Sequence, residues 1–269
     1  VLSWVSGGRE RLYLSPRSVF DGQAAIRGGI PVCFPQFNQR GPHAGLPKHG
    51  FARNLAWESV SVVHPQPGDG AAASATGSAR LSDPAGTEHS FRLTSGPVTQ
   101  RWWPQAFEAT LTVALSPGSL QVTLAVRNTD DRPLAFTGAL HTYLVADAMQ
   151  TARLHGLGGQ AEWDALTDIH AQAADPLRFE GEFDRVYAAA PQSLTLRDAA
   201  GDLHITQSPG WGQTVVWNPG PHNAKALADM PDDAHQHMLC VEAAQVFAPI
   251  TVQPGGTWQG WQRLSLNQL

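Results

Sequence analysis

The chain contains only two cysteines among its 269 residues, Cys33 and Cys240, and they lie far apart in two separate apolar runs. A disulfide framework or a cysteine-based zinc site needs several cysteines at closer spacing. We therefore expect neither of these in the protein. This sparing use of cysteine is typical of a protein that works in the reducing cytoplasm.

Long apolar runs are missing as well. No run approaches the ~18 apolar residues that a membrane-spanning helix requires. The first residues lack the basic-then-apolar order of a signal peptide. The sequence therefore predicts a cytoplasmic protein that has no membrane partner.

Charge is scarce and slightly negative. Charged residues make up 15% of the chain, and the formal net charge is −5 at pH 7. Binding to a nucleic-acid backbone normally needs a broad basic face, so this balance argues against a nucleic-acid partner. With 42% hydrophobic residues, the chain can bury a sizeable core. We expect a single domain that spans residues 1–269 and acts as a monomer.

Alternation with period two is the dominant pattern, and it puts successive side chains on opposite faces of a sheet. Residues 107–147 are predicted to form a three-stranded meander with turns at 116–119 and 128–133. Its middle strand, "SLQVTLAVRN", sets Leu120, Val122, Leu124 and Val126 on one face against Gln121, Thr123 and Arg127 on the other.

Other segments point to the same class of fold. Helical signals are sparse, and 26 glycines and 20 prolines supply turns throughout the chain. The pattern predicts an all-β protein, a large antiparallel β-sandwich. The small-residue stretch 69–79 is either a surface loop or a strand. Further strands are predicted at 55–63, 91–94, 193–198, 214–217, 238–247 and 257–266.

The last strand of the predicted meander, "LAFTGALHTYLV", breaks the regular pattern. Its alternation puts Leu134, Phe136 and Leu140 on one face and Ala135, Thr137, Ala139, His141 and Tyr143 on the other. His141 therefore projects from a face of mostly small residues, which leaves room for a ligand. From this segment alone, His141 is either a functional group or a histidine on a partly solvated face.

A second anomaly is Glu242, the only charge in the apolar strand "MLCVEAAQVF". Burying a carboxylate without partners costs several kcal/mol or raises its pKa until it is neutral. We expect this side chain to be paired, hydrogen-bonded or open to a cavity. It is either a functional carboxylate or half of a buried ion pair with an arginine.

Positive charge is concentrated in one glycine- and proline-rich stretch, "IRGGIPVCFPQFNQRGPHAGLPKHGFARN", which holds Arg27, Arg40, Lys48 and Arg53. An acid and a base near such cations indicate proton transfer on an anionic substrate, which is positioned by charge-assisted hydrogen bonds. Phosphate is the anion we expect. Gly28, Gly29 and Gly50 would let the backbone approach it without a side-chain clash. No stretch matches a nucleotide phosphate loop.

Six motifs in order carry a family resemblance: "IRGGIPVCFPQF", "LPKHGFARN", "HTYL", "GEFDRVY", "VWNPG…KALADMPDD" and "CVEAAQV". Together they resemble the hexose-6-phosphate mutarotases, or glucose-6-phosphate 1-epimerases, of the aldose 1-epimerase superfamily. The match covers most of the chain. The resemblance implies a β-supersandwich fold, no cofactor or metal, and interconversion of the α and β anomers of a hexose 6-phosphate.

The resemblance also implies roles for single residues. It puts the catalytic acid at His141 and the catalytic base at Glu242. Substrate contacts fall on Arg27, Lys48, Arg53 and Asp184, with His49 as a further sugar contact. Many relatives carry glutamine in place of Lys48, and this departure would strengthen phosphate binding.

Anomer exchange requires opening the hemiacetal ring and closing it on the other face. In this mechanism Glu242 takes the proton of the C1 hydroxyl while His141 donates to the ring oxygen. Three alternatives stay open at this point: a non-catalytic sugar-phosphate sensor, a mutarotase of free aldoses, and a glycoside hydrolase. The hydrolase would use Glu242 and Asp184 as its two carboxylates.

Four other features receive a structural interpretation. The "HQH" stretch at 235–237 lacks a third ligand pattern, so a solvated loop is favoured over a metal site. Core or rim packing is favoured over sugar stacking for Trp102 and Trp103. Arg40 and His43 are expected to decorate their loop, and Arg127 is expected on a solvated strand face.

Overall fold

In the computed structural model of the chain, the described residues are 1–63, 86–190 and 192–266. The stretch 69–79 lies outside them, so its prediction is not tested. The described strands are β1 (Val5–Ser6), β2 (Arg9–Glu10), β3 (Val32–Cys33), β4 (Glu58–Val63), β5 (Thr87–Thr94), β6 (Phe107–Ser116), β7 (Ser119–Asn128), β8 (Leu134–Leu140), β9 (Tyr143–Val145), β10 (Arg153–His155), β11 (Ala161–Asp164), β12 (Ile169–Gln172), β13 (Phe183–Ala188), β14 (Leu194–Asp198), β15 (Gly201–Gln207), β16 (Gln213–Asn218), β17 (Met238–Val252) and β18 (Thr257–Leu266). The helices are α1 (Pro97–Gln100) and α2 (Gly220–Ala226), with 3-10 turns at Ala52–Asn54 and Ala234–Gln236.

The strands form two large antiparallel sheets. Sheet 1 has eight strands in the order β10-β14-β15-β18-β7-β6-β5-β4. Sheet 2 has the order β12-β11-β13-β16-β17-β8-β3, with β9 paired to β17. Strands β1 and β2 form a separate two-stranded ribbon. The prediction of an all-β antiparallel sandwich is confirmed.

The main core lies between the two sheets. Leu124 of β7 in sheet 1 belongs to the same buried cluster as Phe136 of β8 and Val241 of β17 in sheet 2. Alternation explains this packing, because every second side chain of each strand faces the opposing sheet. Full burial of such a side chain contributes about 1.5–3 kcal/mol relative to exposure.

The predicted meander is wrong at its third strand. β6 and β7 do form a hairpin, in which Ser116 lies opposite Ser119. β8, however, does not pair with β7. It belongs to sheet 2, because β18 pairs with the other edge of β7. The buried amide of Asn128 fixes this crossover by donating to the carbonyls of Arg132 and Val252, both at 2.8 Å.

β18 is confirmed with the predicted ends, and the remaining predicted strands are confirmed with shifted ends. β5 begins four residues earlier than predicted, and β17 extends to Val252. Strands β1 to β3, β10 to β13 and β15 were not predicted. β12, for example, is exposed along its whole length and therefore has no apolar face to detect.

The outer face of sheet 2, which faces away from sheet 1, is partly covered by the loop 34–51. A separate apolar cluster packs there, and it consists of Cys33, Phe37, Ala139, Val186, Val215, Ala244 and Val246. Thr137 of β8 pins the loop, since its hydroxyl accepts from the Phe37 amide at 2.9 Å and donates to the Arg40 carbonyl at 3.1 Å. The loop that carries the cations is therefore held against sheet 2.

The glycines of this region pack against other backbone of the protein, which corrects the expectation that they leave space for phosphate. A Cβ at Gly50, where φ is +70°, would lie 2.1 Å from the Phe34 carbonyl oxygen. At Gly28 it would lie 2.4 Å from the Tyr13 carbonyl oxygen, and Gly29 is equally crowded by backbone.

Within the described ranges, no helix has both the length and the apolar character to cross a membrane.

Candidate active site

A cavity of about 750 Å³ lies over the outer face of sheet 2, against the loop 34–51. Charged and aromatic side chains dominate its walls. It brings together all seven residues selected from the sequence, namely Arg27, Lys48, His49, Arg53, His141, Asp184 and Glu242.

Cross-strand register places the floor of this cavity. Val215 of β16 lies opposite Glu242 of β17, and Val186 of β13 lies opposite Val215. Trp163 of β11 lies opposite Val186 and ends this row. Since neighbouring strands are about 4.8 Å apart, Trp163 lies roughly 14 Å from Glu242.

A second row runs parallel to the first. Asp184 lies opposite Trp217, and Trp217 lies opposite Cys240. Cys240 in turn lies opposite Tyr143 of β9. Because residues two apart along a strand share a face, both rows face the cavity side of sheet 2.

His141 lies in the two-residue break between β8 and β9. The next residue is anchored, because the Thr142 hydroxyl donates to the side-chain oxygen of Gln262 at 2.5 Å. The His141 ring stacks on Tyr143 with centroids 4.8 Å apart, and it meets the edge of Trp217 at 6.3 Å. These contacts orient the imidazole, and the alternation predicted from sequence correctly put His141 and Tyr143 on one side.

His141 and Glu242 form a buried pair, with Nε2 of the histidine 3.3 Å from Oε1 of the glutamate. Burial lowers the pKa of His141 well below its usual value and raises that of Glu242 well above. The carboxylate of Asp184 raises the Glu242 pKa further, whereas the charge of Arg53 lowers it. Both shifts favour the uncharged form of each group. Nδ1 of His141 and Oε2 of Glu242 have no partner among the described residues.

His49 is a neutral imidazole with a defined tautomer. The backbone N–H of Asn38 donates to Nδ1 of His49 at 3.2 Å, so the ring proton must reside on Nε2. The thiol of Cys33 also contacts Nδ1, at 3.4 Å. Burial, together with the charges of Arg53 and Lys48, lowers the pKa of His49 to about 3. His49 can therefore donate a hydrogen bond but does not act as an acid near neutral pH.

The two arginines selected from the sequence differ in their partners. Arg27 contacts the Asp229 carboxylate at 3.1 Å and donates to the Tyr143 hydroxyl at 3.2 Å. Arg53 donates to the Lys48 carbonyl at 3.1 Å, and its Nε has no partner among the described residues. Only Arg27 is thus neutralised by a carboxylate.

Asp184 occupies the side of the cavity nearer to Trp163. Burial raises its pKa to about 6, and the positive charge of Lys48 acts in the opposite direction. The group is therefore partly protonated near neutral pH. It can donate or accept a hydrogen bond from a polar ligand.

Several cavity residues were missed or misjudged from the sequence. Arg40 lines the cavity with its guanidinium 4.4 Å from the Trp163 ring centroid, so the expectation that it decorates the loop is wrong. Trp217 and Asp229 also line it, and both stand in motifs that carry the family resemblance. Nothing in the local pattern around Trp163 marked it, because its position depends on long-range register.

The remaining sequence interpretations concern residues outside the cavity walls. Trp103 is fully buried in the core, as predicted, whereas Trp102 is half-exposed and does not line the cavity. Arg127 is exposed on β7, as predicted. Nδ1 of His235 contacts the Asp232 carbonyl oxygen at 3.1 Å.

One group of metal-binding residue types is found among the described residues. Donor atoms of His141, Cys240 and Glu242 lie within 4.8 Å of one another. Burial raises the pKa of the Cys240 thiol well above its usual value, and His141 already contacts Glu242 directly.

The two-sheet β-sandwich thus holds a buried histidine–glutamate contact in a cavity that several cations line. The sequence profile of the aldose 1-epimerase family matches residues 1–265, and the chain belongs to this family.

Individual relatives agree with this assignment. A protein of Cenchrus ciliaris is 38% identical over 98% of this chain and 78% of its own length, and its name is "Putative glucose-6-phosphate 1-epimerase". A protein of Escherichia coli K12 with the same name is 34% identical over 91% of this chain and 76% of its own length. The crystal structure of a "putative mutarotase" from Salmonella typhimurium has a TM-score of 0.83 and 27% identity, and the match covers 98% of this chain and 82% of that one.

Proposed function

We propose that the protein interconverts the α and β anomers of a hexose 6-phosphate, with glucose 6-phosphate as the first candidate substrate. The observation that carries this proposal is the buried contact of 3.3 Å between His141 and Glu242 inside a cavity that also holds Arg27 and Arg53. The names of the relatives from Cenchrus ciliaris and Escherichia coli support the choice of substrate.

The geometry of the pair suits the reaction. The C1 hydroxyl oxygen and the ring oxygen are bonded to the same carbon, so an acid and a base that serve both must lie close to each other. Glu242 takes the proton of the C1 hydroxyl while His141 donates a proton to the ring oxygen, and the bond between C1 and that oxygen breaks. Rotation about C1–C2 and the reverse transfers close the ring on the other face of C1.

One proton on the pair is enough for this cycle. A neutral imidazole beside a protonated carboxyl has the same proton count as an imidazolium beside a carboxylate, and moving one proton along the 3.3 Å contact converts one into the other. Burial favours the neutral form, and the charges of Arg53 and Arg27 disfavour an imidazolium at His141. A bound phosphate dianion would offset those charges and so favour the reactive form.

We assign the 6-phosphate to Arg27 and Arg53. Both side chains line the cavity, and both of their positive charges act on the nearby His141. Guanidinium groups bind phosphate oxygens through two parallel hydrogen bonds. Lys48 assists through its charge.

The sugar hydroxyls would be held by the neutral imidazole of His49 and the carboxyl group of Asp184. Nε2–H of His49 is a fixed donor, and Asp184 can accept or donate. No step of this cycle oxidises or reduces the sugar, so the reaction needs no cofactor.

We further propose that the chain acts as one domain and as a cytoplasmic monomer. Its partner would be the sugar phosphate, and not nucleic acid or a membrane. The net charge of −5 supports the last point.

Exchange NMR of the two anomers of glucose 6-phosphate tests the proposal. The protein should increase the exchange rate above the spontaneous rate, in proportion to its concentration, and should act less well on free glucose. A sensor would bind the sugar phosphate without increasing exchange. Equal or better action on free glucose would identify a mutarotase of free aldoses and overturn the phosphate assignment. Release of a sugar from aryl glycosides would indicate the hydrolase.

A further inference from the structure

Asp229 places a negative charge at the end of the cavity that we assign to phosphate. Its Oδ2 lies 3.1 Å from both Nε and Nη2 of Arg27, and the two side chains are 31% and 23% exposed. Both residues line the cavity. Arg53 makes no ion pair among the described residues. The two arginines at this end are therefore not equivalent, because one of them already has a counter-ion.

The backbone holds Asp229 in this position. The Ser15 hydroxyl donates to the Asp229 carbonyl at 2.6 Å, and Arg17 donates to the next carbonyl, that of Met230, at 2.9 Å. These anchors lie on the segment between α2 and β17, which also contributes Leu227 to the cavity wall. The main chain at Asp229 is therefore held in place beside Arg27.

A phosphate bound by Arg27 would lie close to this carboxylate. Like charges repel, and at a partly buried site the repulsion is screened less than in bulk water. The dianion must therefore bind against the field of Asp229, or replace part of the Arg27–Asp229 contact. Either route weakens binding compared with two unopposed arginines.

Arg27 has a second support that does not depend on this charge. Its Nη1 donates to the Tyr143 hydroxyl at 3.2 Å, and the Tyr143 ring stacks on His141. An asparagine at 229 would keep an oxygen that accepts from Arg27. Removing only the charge should thus leave the guanidinium oriented and expose its full positive charge to the ligand.

We propose that Asp229 is a specificity-determining residue that lowers the affinity of the site for phosphate dianions, so that a phosphorylated sugar is bound weakly enough to be released after each exchange. The inference rests on the proposed function, and it concerns a residue to which that function assigns no step. If Asp229 has this role, removing its carboxylate charge must strengthen phosphate binding.

The test compares Asp229→Asn with the parent, using inorganic phosphate as the probe in calorimetric titration and as a competitor in the exchange assay. We expect the dissociation constant and the inhibition constant of phosphate to fall about 10-fold, since a full charge near the ligand is removed. KM for glucose 6-phosphate should fall by a similar factor, with a smaller change for free glucose. General damage to the site would not tighten binding.

The matched control is Asp202→Asn, because Asp202 pairs with Arg197 at 2.7 Å and lies outside the cavity walls. This variant should bind phosphate as the parent does. Unchanged or weaker phosphate binding in Asp229→Asn, with the parent binding phosphate normally, would overturn the role of Asp229 alone. If the parent neither binds phosphate nor accelerates exchange of glucose 6-phosphate, the proposed function itself is wrong, and the two failures are distinguishable.

Discussion

Strands β7 and β17 are both apolar strands near the centre of their sheets, but only β17 has a charged residue at a buried position. In β7 the apolar side chains face the core, while Thr123 is half-buried and Arg127 is exposed on the other face. In β17 the first seven residues are all buried. Val241 packs between the sheets, while Cys240 packs under the segment that contains α2.

This difference explains why Glu242 was detectable as an anomaly. A charge on β7 can reach water on one face, so it says little about function. Glu242 lies at the cavity wall and is only 1% exposed, so its charge must be compensated by groups of the protein or of a bound ligand. A single charged residue in a strand that is buried on both faces therefore indicates a functional role more strongly than a charge on a half-exposed strand does.

The largest expected effect comes from replacing the charged residue of β17. Glu242→Gln should reduce anomer exchange at least about 100-fold, because the amide cannot accept the C1 proton. The same change should leave the melting temperature unchanged or raise it, since a buried carboxyl is replaced by a neutral group of equal shape. Exchange NMR and thermal unfolding on the same sample measure both quantities. Near-parental exchange would remove Glu242 from the mechanism.

The opposite outcome is expected on β7. Leu124→Ala should lower the free energy of unfolding by about 2–5 kcal/mol, because it leaves a cavity between the sheets. Exchange per folded molecule should stay near the parental value. Chemical denaturation measures the loss, and Leu115→Ala is the matched control because Leu115 is exposed on β6. Equal losses in the two variants would contradict the assignment of the core.

The fold and the two anomalous residues were accessible from the sequence for the same physical reason. Alternation is a local property, and it correctly placed Leu124 in the core and His141 beside Tyr143. The motifs then supplied the family. Roles for His141 and Glu242 stay predictions until variants are measured.

Properties that depend on long-range pairing were not accessible. The exit of β8 to the other sheet follows from β18 occupying the edge of β7, and no local pattern reports that. The stacking of Arg40 on Trp163 joins residues from a loop and from β11. The contact between Arg27 and Asp229 spans 202 positions in the chain. Each of these depends on the tertiary arrangement of the folded chain.

A smaller effect is expected at the cation-rich end of the cavity. Arg53→Ala should weaken binding of glucose 6-phosphate by roughly 10- to 150-fold, which corresponds to about 1.5–3 kcal/mol for a charge-assisted hydrogen bond. Free glucose should be affected much less. Arg127→Ala removes the same charge from an exposed position on β7 and should change neither substrate. Equal weakening for both sugars would make Arg53 a structural residue.

The smallest effect concerns the pH dependence of stability. It distinguishes a histidine on the covered face of sheet 2, His49, from a histidine on the protein surface. His49 has a folded-state pKa of about 3, below the value of 6.5 for a free imidazole. Between these values the unfolded chain binds a proton that the folded chain does not, so stability is lost as pH falls below about 6.5. His49→Gln should reduce the slope of unfolding free energy against pH by about 1.4 kcal/mol per pH unit between pH 4 and 6. Denaturation series at several pH values measure this slope, and His222→Gln, at an exposed position, should leave it unchanged. A parental slope in His49→Gln would mean that His49 titrates normally in the folded protein and is not the fixed neutral donor described above.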